Sequence, residues 1–177
     1  MLNYNPNYEY KCSPNLKCGG FSYLQYLVIH YNKINNCLQL IQEDIDNNKI
    51  GYIDHKNECG ITALMLACRN SNTYSSIEVV KLLIKNGANI NLQDNKGYTS
   101  LILSCAYLTT DSSIEIVKLL IENGANINIK NNTGFAAISF IDKDYLLDIV
   151  KLLINNGAEI DYKIISYNVA NDEIIFQ

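Results

Sequence analysis

The stretch Ile114-Glu-Ile-Val-Lys-Leu-Leu-Ile-Glu-Asn-Gly-Ala-Asn-Ile-Asn128 decides how this chain of 177 residues is read. Residues 77–91 repeat it almost unaltered, and residues 147–161 repeat it more loosely. The glycines that mark the three copies, Gly87, Gly124 and Gly157, are 37 and 33 residues apart. A second series runs in step, with Gly60, Gly97 and Gly134 each 37 residues apart. Two glycine series in phase define a sequence repeat, and periods of this size belong to solenoid arrays. Each unit of such an array buries its apolar face against its neighbours, so a binding surface is expected rather than one catalytic pocket.

Within the central copy, Ile114, Val117, Leu120 and Ile121 recur at helical spacing, with Ile116 and Leu119 beside them and Glu115, Lys118 and Glu122 opposite. That pattern predicts an amphipathic helix. Ser112-Ser113-Ile114-Glu115 reads as a capping box at its start, and Ser75-Ser76-Ile77-Glu78 repeats the signal. Asn123-Gly124 is the stop, because glycine accepts the left-handed conformation that ends helices. The polar run that follows, through Lys130 to Gly134, suits an extended segment, a tight turn and a return. After each turn glycine comes a shorter apolar segment: Thr62-Ala-Leu-Met-Leu-Ala-Cys68, Thr99-Ser-Leu-Ile-Leu-Ser-Cys105, and Ala136-Ala-Ile-Ser-Phe140.

A helix, a hairpin-like turn and a second helix at a period near 33 resemble the ankyrin repeat. The family's T-P-L-H-x-A signature stands here as Thr62-Ala63-Leu64-Met65-Leu66-Ala67, with the proline and histidine replaced. Thr99-Ser100-Leu101 departs further from it, and Ala136-Ala137-Ile138 further still. The fold class implied is all-α, an ankyrin-repeat solenoid of stacked helix–turn–helix units joined by hairpin-like loops. From Thr62 to Glu78 and from Thr99 to Glu115 is 16 positions, against 12 from Ala136 to Asp148. The four extra residues fall between the two helices of a unit, where added loop length costs little stability.

The organisation expected is a loose lead-in over residues 1–20 and a diverged capping repeat over 21–51. Three repeats follow over 52–161, and a C-terminal capping segment, apolar enough for a helix, over 162–177. Residues 21–31 and 34–42 are the two helices of the first unit, the second carrying Ile34, Cys37, Leu38 and Ile41 on one side. Its exit is stretched through residues 43–51. Terminal repeats are expected to be atypical, since one face meets solvent.

Net charge is −4 and Arg69 is the sole arginine, so the clustered cations that phosphate recognition needs are absent and nucleic acid is not an expected partner. The longest apolar runs reach about half a membrane span, so no membrane helix is expected. The first residues lack the basic-then-apolar order of a signal peptide. The expectation is a monomer of the cytoplasm or nucleus. Lysine outnumbers arginine 13 to 1, and asparagine and isoleucine abound, a bias that A/T-rich codons would write. Together with the Asn-Gly-Ala-Asn-Ile-Asn runs, this is similar to the ankyrin proteins of large DNA viruses, the mimivirus-like giant viruses of amoebae especially.

Cys68 and Cys105 occupy one repeat position and are expected in the core. Cys59 precedes a turn glycine and is expected exposed, without a structural disulfide in a reducing compartment. Cys12, Cys18, Cys37, His30 and His55 lack the paired spacing of zinc sites, so no metal or other cofactor is expected. Asp44, Asp46 and Asp54 form an acidic cluster outside any calcium-loop frame and read as solvated loop charge. No phosphate-cradling glycine loop, HExxH or GxSxG occurs, so no catalytic residues are assigned and the chain is read as not an enzyme.

The ankyrin resemblance implies a concave groove formed by hairpin tips and first helices. Its usual contact positions fall here on Lys56, Glu58, Cys59, Ile61, Arg69 and Asn70. In the next unit they are Gln93, Asn95, Lys96, Tyr98, Ala106 and Tyr107, and in the last Lys130, Asn132, Thr133, Phe135, Lys143 and Asp144. Ile61, Tyr98 and Phe135 each follow a turn glycine and should form either an apolar ladder along the groove or a half-buried row against the first helices. The partner class expected is another protein, a host protein in the leading reading, with the chain acting as adaptor or competitive inhibitor. The alternative is a structural or packaged virion component. The resemblance also implies Asn91 and Asn128 as targets of asparagine hydroxylation in an animal cell.

Overall fold

The computed structural model describes residues 19–48, 51–70, 77–107, 111–141, 147–159, 165–168 and 173–176. Thr62 and Thr99 show how an inner helix begins: each is buried, and its hydroxyl accepts a hydrogen bond from the backbone N–H three residues on, Met65 at 3.3 Å and Ile102 at 3.2 Å. Those caps satisfy donors that a helix start otherwise leaves open. The helices they open are α3 (Ala63–Asn70) and α5 (Ser100–Ala106). From Ser100 to Cys105 every side chain of α5 is buried, because neighbouring units cover both of its sides. Ser104 stays satisfied there by donating to the Ser100 carbonyl at 2.9 Å.

The outer helices are α4 (Ile77–Lys85), α6 (Asp111–Glu122) and α7 (Leu147–Asn155). They bury one stripe each, and the three stripes match in register: Val79, Val80 and Leu83; Ile116, Val117 and Leu120; Ile149, Val150 and Leu153. A first unit precedes them, with α1 (Tyr23–Ile29) in the inner row and α2 (Cys37–Asn47) in the outer. Inner packs on inner and outer on outer along the array, giving one continuous core.

Several expectations are corrected. α2 begins at Cys37, not Ile34, and runs on to Asn47 through the expected exit loop. Asn36 sits at φ 55°, a left-handed conformation that asparagine tolerates and that separates the helix from the 3-10 turn at Tyr31–Lys33. Asp44 is therefore helical and buried rather than solvated. Burial raises its pKa, Tyr52 and Asn48 oppose that by hydrogen bonding, and its second carboxylate oxygen has no partner. α6 starts at Asp111, so Ser112 and Ser113 lie inside the helix rather than ahead of it. The matching signal at Ser75–Ser76 lies outside the described residues.

The inner segment of the last unit is only a 3-10 turn, Ala137–Phe140. Ala136 stands where Thr62 and Thr99 stand, and it offers no side-chain cap. The tail carries two antiparallel strands instead of the expected helix: β1 (Ile165–Asn168) and β2 (Glu173–Phe176), with Ile165 opposite Phe176. Their β-branched and aromatic content favours extended backbone over helix. The solenoid itself remains all-α. Among the described residues no helix is long and apolar enough to cross a membrane.

Candidate functional site

Each hairpin is built on one side chain. Asn57 Oδ1 accepts from the N–H groups of Cys59 (3.0 Å) and Ile61 (2.9 Å). Asp94 does the same for Lys96 (2.9 Å) and Tyr98 (2.8 Å), and Asn131 for Thr133 (3.0 Å) and Phe135 (2.9 Å). Backbone bonds from Asn57 to Ile61, Asp94 to Tyr98 and Asn131 to Phe135 close the three loops. The Nδ2 groups of Asn57 and Asn131 are buried and unpartnered, whereas Asp94 carries no such donor.

The hairpins stack in a row through the residue after each of these. Asn95 donates from its backbone to the Cys59 carbonyl (3.0 Å) and from its amide to the Glu58 carbonyl (2.8 Å). Asn132 makes the same pair to Lys96 and Asn95, both at 3.0 Å. Gln93 donates to the carbonyls of Gly97 (2.8 Å) and Lys130 (3.0 Å), and Lys56 donates to the Gln93 carbonyl at 2.7 Å. Thus Gln93, Asn95 and Asn132, expected as contact residues, direct their amide donors into the scaffold.

Among the described residues no hairpin precedes the first one, and Gly19 and Gly20 stand in that place. Glu58 N–H donates to the Gly19 carbonyl at 3.2 Å, the same bond that Asn95 and Asn132 make backwards. Gly19 N–H donates to the Glu58 carboxylate at 2.9 Å, and the His55 ring contacts the Gly20 carbonyl at 3.0 Å. Cys59 is half-buried and disulfide-bonded, which overturns the expectation that it carries no disulfide; its partner lies outside the described residues. Cys68 and Cys105 are free and buried in the core as expected, with burial pushing each thiol up to about 12.

A second ladder joins the helix exits. Asn91 donates to the Gly124 carbonyl at 3.0 Å and accepts from Asn126 N–H at 2.7 Å. Asn128 repeats this with Gly157 (2.9 Å) and Glu159 (2.8 Å). Asp54, at the equivalent place, accepts from Asn89 N–H at 2.9 Å but has no donor for the Gly87 carbonyl. Asp54→Asn should supply the missing rung and raise stability by about 1 kcal/mol. Urea melts check it: an unchanged or lowered midpoint would show that the rung does not form.

The aromatic residues gather at the far end of the hairpin row. Tyr98 is half-buried with its ring 5.6 Å from that of Phe140, and Phe135 packs edge-on to Phe140 at 6.2 Å. Phe135 nevertheless keeps 43% of its surface exposed, while Ile61 is half-buried against the core. Two rungs of the apolar ladder are therefore half-buried, and the last one stands out. Phe140 was not among the expected site residues; it is reachable because the uncapped 3-10 turn replaces an inner helix. At the opposite ends of the inner helices, the Arg69 guanidinium lies 4.9 Å from the centre of the Tyr107 ring, itself 44% exposed. That is cation–π geometry and brings two expected contact residues together. Lys96, Lys130, Asn132, Thr133 and Glu58 are exposed, and Asn70 and Ala106 half-buried. Lys143 and Asp144 lie outside the described residues.

Among the described residues no group of three or more His, Cys, Asp or Glu side chains is placed to hold a metal ion. The geometry offers a row of rigid loops, a projecting aromatic and cations on the loops, which is equipment for binding.

The family model for ankyrin repeats, three copies, matches residues 24–131, including the first unit. Three similar proteins belong to Acanthamoeba polyphaga mimivirus. Ankyrin repeat protein L122 is 37% identical over 95 residues, covering 53% of this chain and 15% of that protein. Ankyrin repeat protein L86 is 40% identical over 93 residues, covering 52% and 16%, and ankyrin repeat protein L91 is 40% identical over 98 residues, covering 53% and 15%. The matched part is thus a small share of each relative. The paired glycines, the stacked hairpins, the two helix rows and the family match agree: the chain belongs to the ankyrin-repeat family.

Proposed function

We propose that this chain is a non-catalytic adaptor or competitive inhibitor that binds a host protein through the concave side of its hairpin row. Ankyrin repeats are in general protein–protein interaction modules. The observation that carries the reading here is Phe135, a large aromatic left 43% exposed at the end of a row whose other two apolar residues, Ile61 and Tyr98, are half-buried. Exposed aromatics held by rigid neighbours are the usual anchors of protein interfaces. The proposed site is the cytosol or nucleus of the host. Reductants there would open the Cys59 disulfide, leaving the Gly19–Glu58 bonds at that hairpin in place.

Affinity capture from source cells, followed by titration of the captured protein, tests the groove. Phe135→Ala is expected to weaken binding by about 2 kcal/mol, and Tyr98→Ala to add to that. Lys81→Ala and Lys118→Ala, on exposed faces of the outer helices, should change little. Loss of binding with the lysine variants and not the aromatic ones would move the interface to the outer surface. Hydroxylation of Asn91 and Asn128 is a separate proposal. The enzyme must open the ladder in which both amides are held, so slow modification is expected; no gain of one oxygen by mass, beside a modified control substrate, would end it.

A further inference from the structure

The charges of this protein are not shared evenly between its two sides. The chain carries a net charge of −4, yet three of the four exposed charged residues in the hairpins are lysines: Lys56, Lys96 and Lys130. The fourth, Glu58, has its carboxylate accepting from Gly19 N–H at 2.9 Å. Asp94 is half-buried in the middle hairpin, with its carboxylate taken up by the N–H groups of Lys96 and Tyr98. On the outer helices the balance reverses, and among the described residues exposed acids outnumber exposed lysines six to three. A binding side whose sign opposes that of the whole molecule selects its partner by charge as well as by shape.

Resting on the groove reading above, we infer that the partner is an acidic, extended segment of protein carrying one apolar anchor. The anchor seats against Phe135 beside Tyr98 and Phe140, where Phe135 keeps 43% of its surface open. Carboxylates on either side of it face Lys96 and Lys130, which stand on the same two hairpins as the aromatics. Lys56, one unit further along, extends the stripe; its ammonium already donates to the Gln93 carbonyl, so its charge lies along the hairpin row. The segment must be extended because the lysines are distributed over three successive hairpins rather than gathered at one point. Nucleic acid would also meet lysines and aromatic rings, but three cations over three units are few for a phosphate backbone, whose binding rests on many such contacts.

Fluorescence polarisation with labelled probes of about twelve residues tests this on the full chain. The probes are an Asp/Glu-rich peptide with a central Phe, the same peptide with the acids replaced by Lys, the acidic peptide with Phe replaced by Ser, and a single-stranded RNA of similar length. The acidic peptide with Phe is expected to bind best, losing about tenfold or more in affinity between about 50 and 300 mM salt as its charges are screened. Phe135→Ala should weaken it about tenfold. The pair Lys96→Glu and Lys130→Glu should abolish it and admit the Lys-rich peptide instead. Thermal melts of each variant confirm that the fold is kept.

If the Lys-rich peptide or the RNA binds the unaltered chain as tightly as the acidic peptide, the acidic-partner inference is overturned. Sensitivity of that binding to Phe135→Ala would leave the groove reading standing. If acidic binding is untouched by Phe135→Ala and the hairpin lysines but lost with Lys81→Glu and Lys85→Glu, the groove reading itself fails. No binding by any probe also overturns the inference.

Discussion

Gly97→Ala is expected to destabilise the array by about 3 kcal/mol. Two costs combine. Gly97 holds φ +80°, where an L side chain is strained by about 1–2 kcal/mol. A Cβ there would also stand 2.7 Å from Asn132 N and 2.9 Å from Asn131 Cα, both backbone atoms of the next hairpin. Backbone cannot rotate away as a side chain can, so the hairpins must separate, and overpacking of this kind costs about 1–3 kcal/mol. The bond from Asn132 N–H to the Lys96 carbonyl, 3.0 Å in the structure, is the first that would stretch. Gly134 is the control. It has φ +87° but nothing within 4 Å of its would-be Cβ, so Gly134→Ala should cost only the conformational part. Urea melts of the two variants decide the matter, and equal losses would mean that the hairpin row is not packed as described.

Gln25→Leu is expected to cost about 3 kcal/mol and to loosen the first unit selectively. Gln25 is completely buried although polar. Its Oε1 accepts from Ser22 N–H at 3.0 Å, completing a capping box in which the Ser22 hydroxyl accepts from Gln25 N–H. Its Nε2 donates to the carbonyls of His55 (3.1 Å) and Ile61 (2.7 Å), at the two ends of the first hairpin. One side chain therefore fixes the start of α1 and pins it to the next unit. Leucine matches its bulk but leaves the Ser22 N–H and the His55 carbonyl without this partner and the Ile61 carbonyl with only its bond from Asn57 N–H, each unmet group costing about 1–3 kcal/mol where water cannot reach it. Hydrogen exchange should show early opening of α1 and α2 with later units still protected, as expected where stability is summed over neighbours. Uniform loss of protection along the chain would refute the pinning role.

The sequence by itself determined the repeat and the fold. Helical spacing of Ile, Val and Leu gave the outer helices, and the matched stripes around Leu83, Leu120 and Leu153 are the buried ones. Turn glycines in phase located the hairpins, and the shared position of Cys68 and Cys105 placed both in the core. These features are local or strictly periodic, so one dimension suffices to read them. The groove was legible in part: Ile61, Tyr98 and Phe135 were recognisable as equivalent, but not that the first two would be half-buried while Phe135 projects.

What only the tertiary structure decided lies in contacts between residues far apart in the chain. Asn95, Asn132 and Gln93 are exposed polar positions by pattern, yet their amides bond carbonyls 37 residues before or after them. Gln25 interrupts the apolar run of α1, and its worth depends on carbonyls 30 and 36 residues away. Asp44 and Cys59 read as exposed because nothing near them in sequence covers them; the fold buries the first and half-buries the second. Strand formation at β1 and β2, in a segment apolar enough for helix, is likewise a matter of pairing. Periodicity reports which face a residue presents, and only the packed array reports what meets that face.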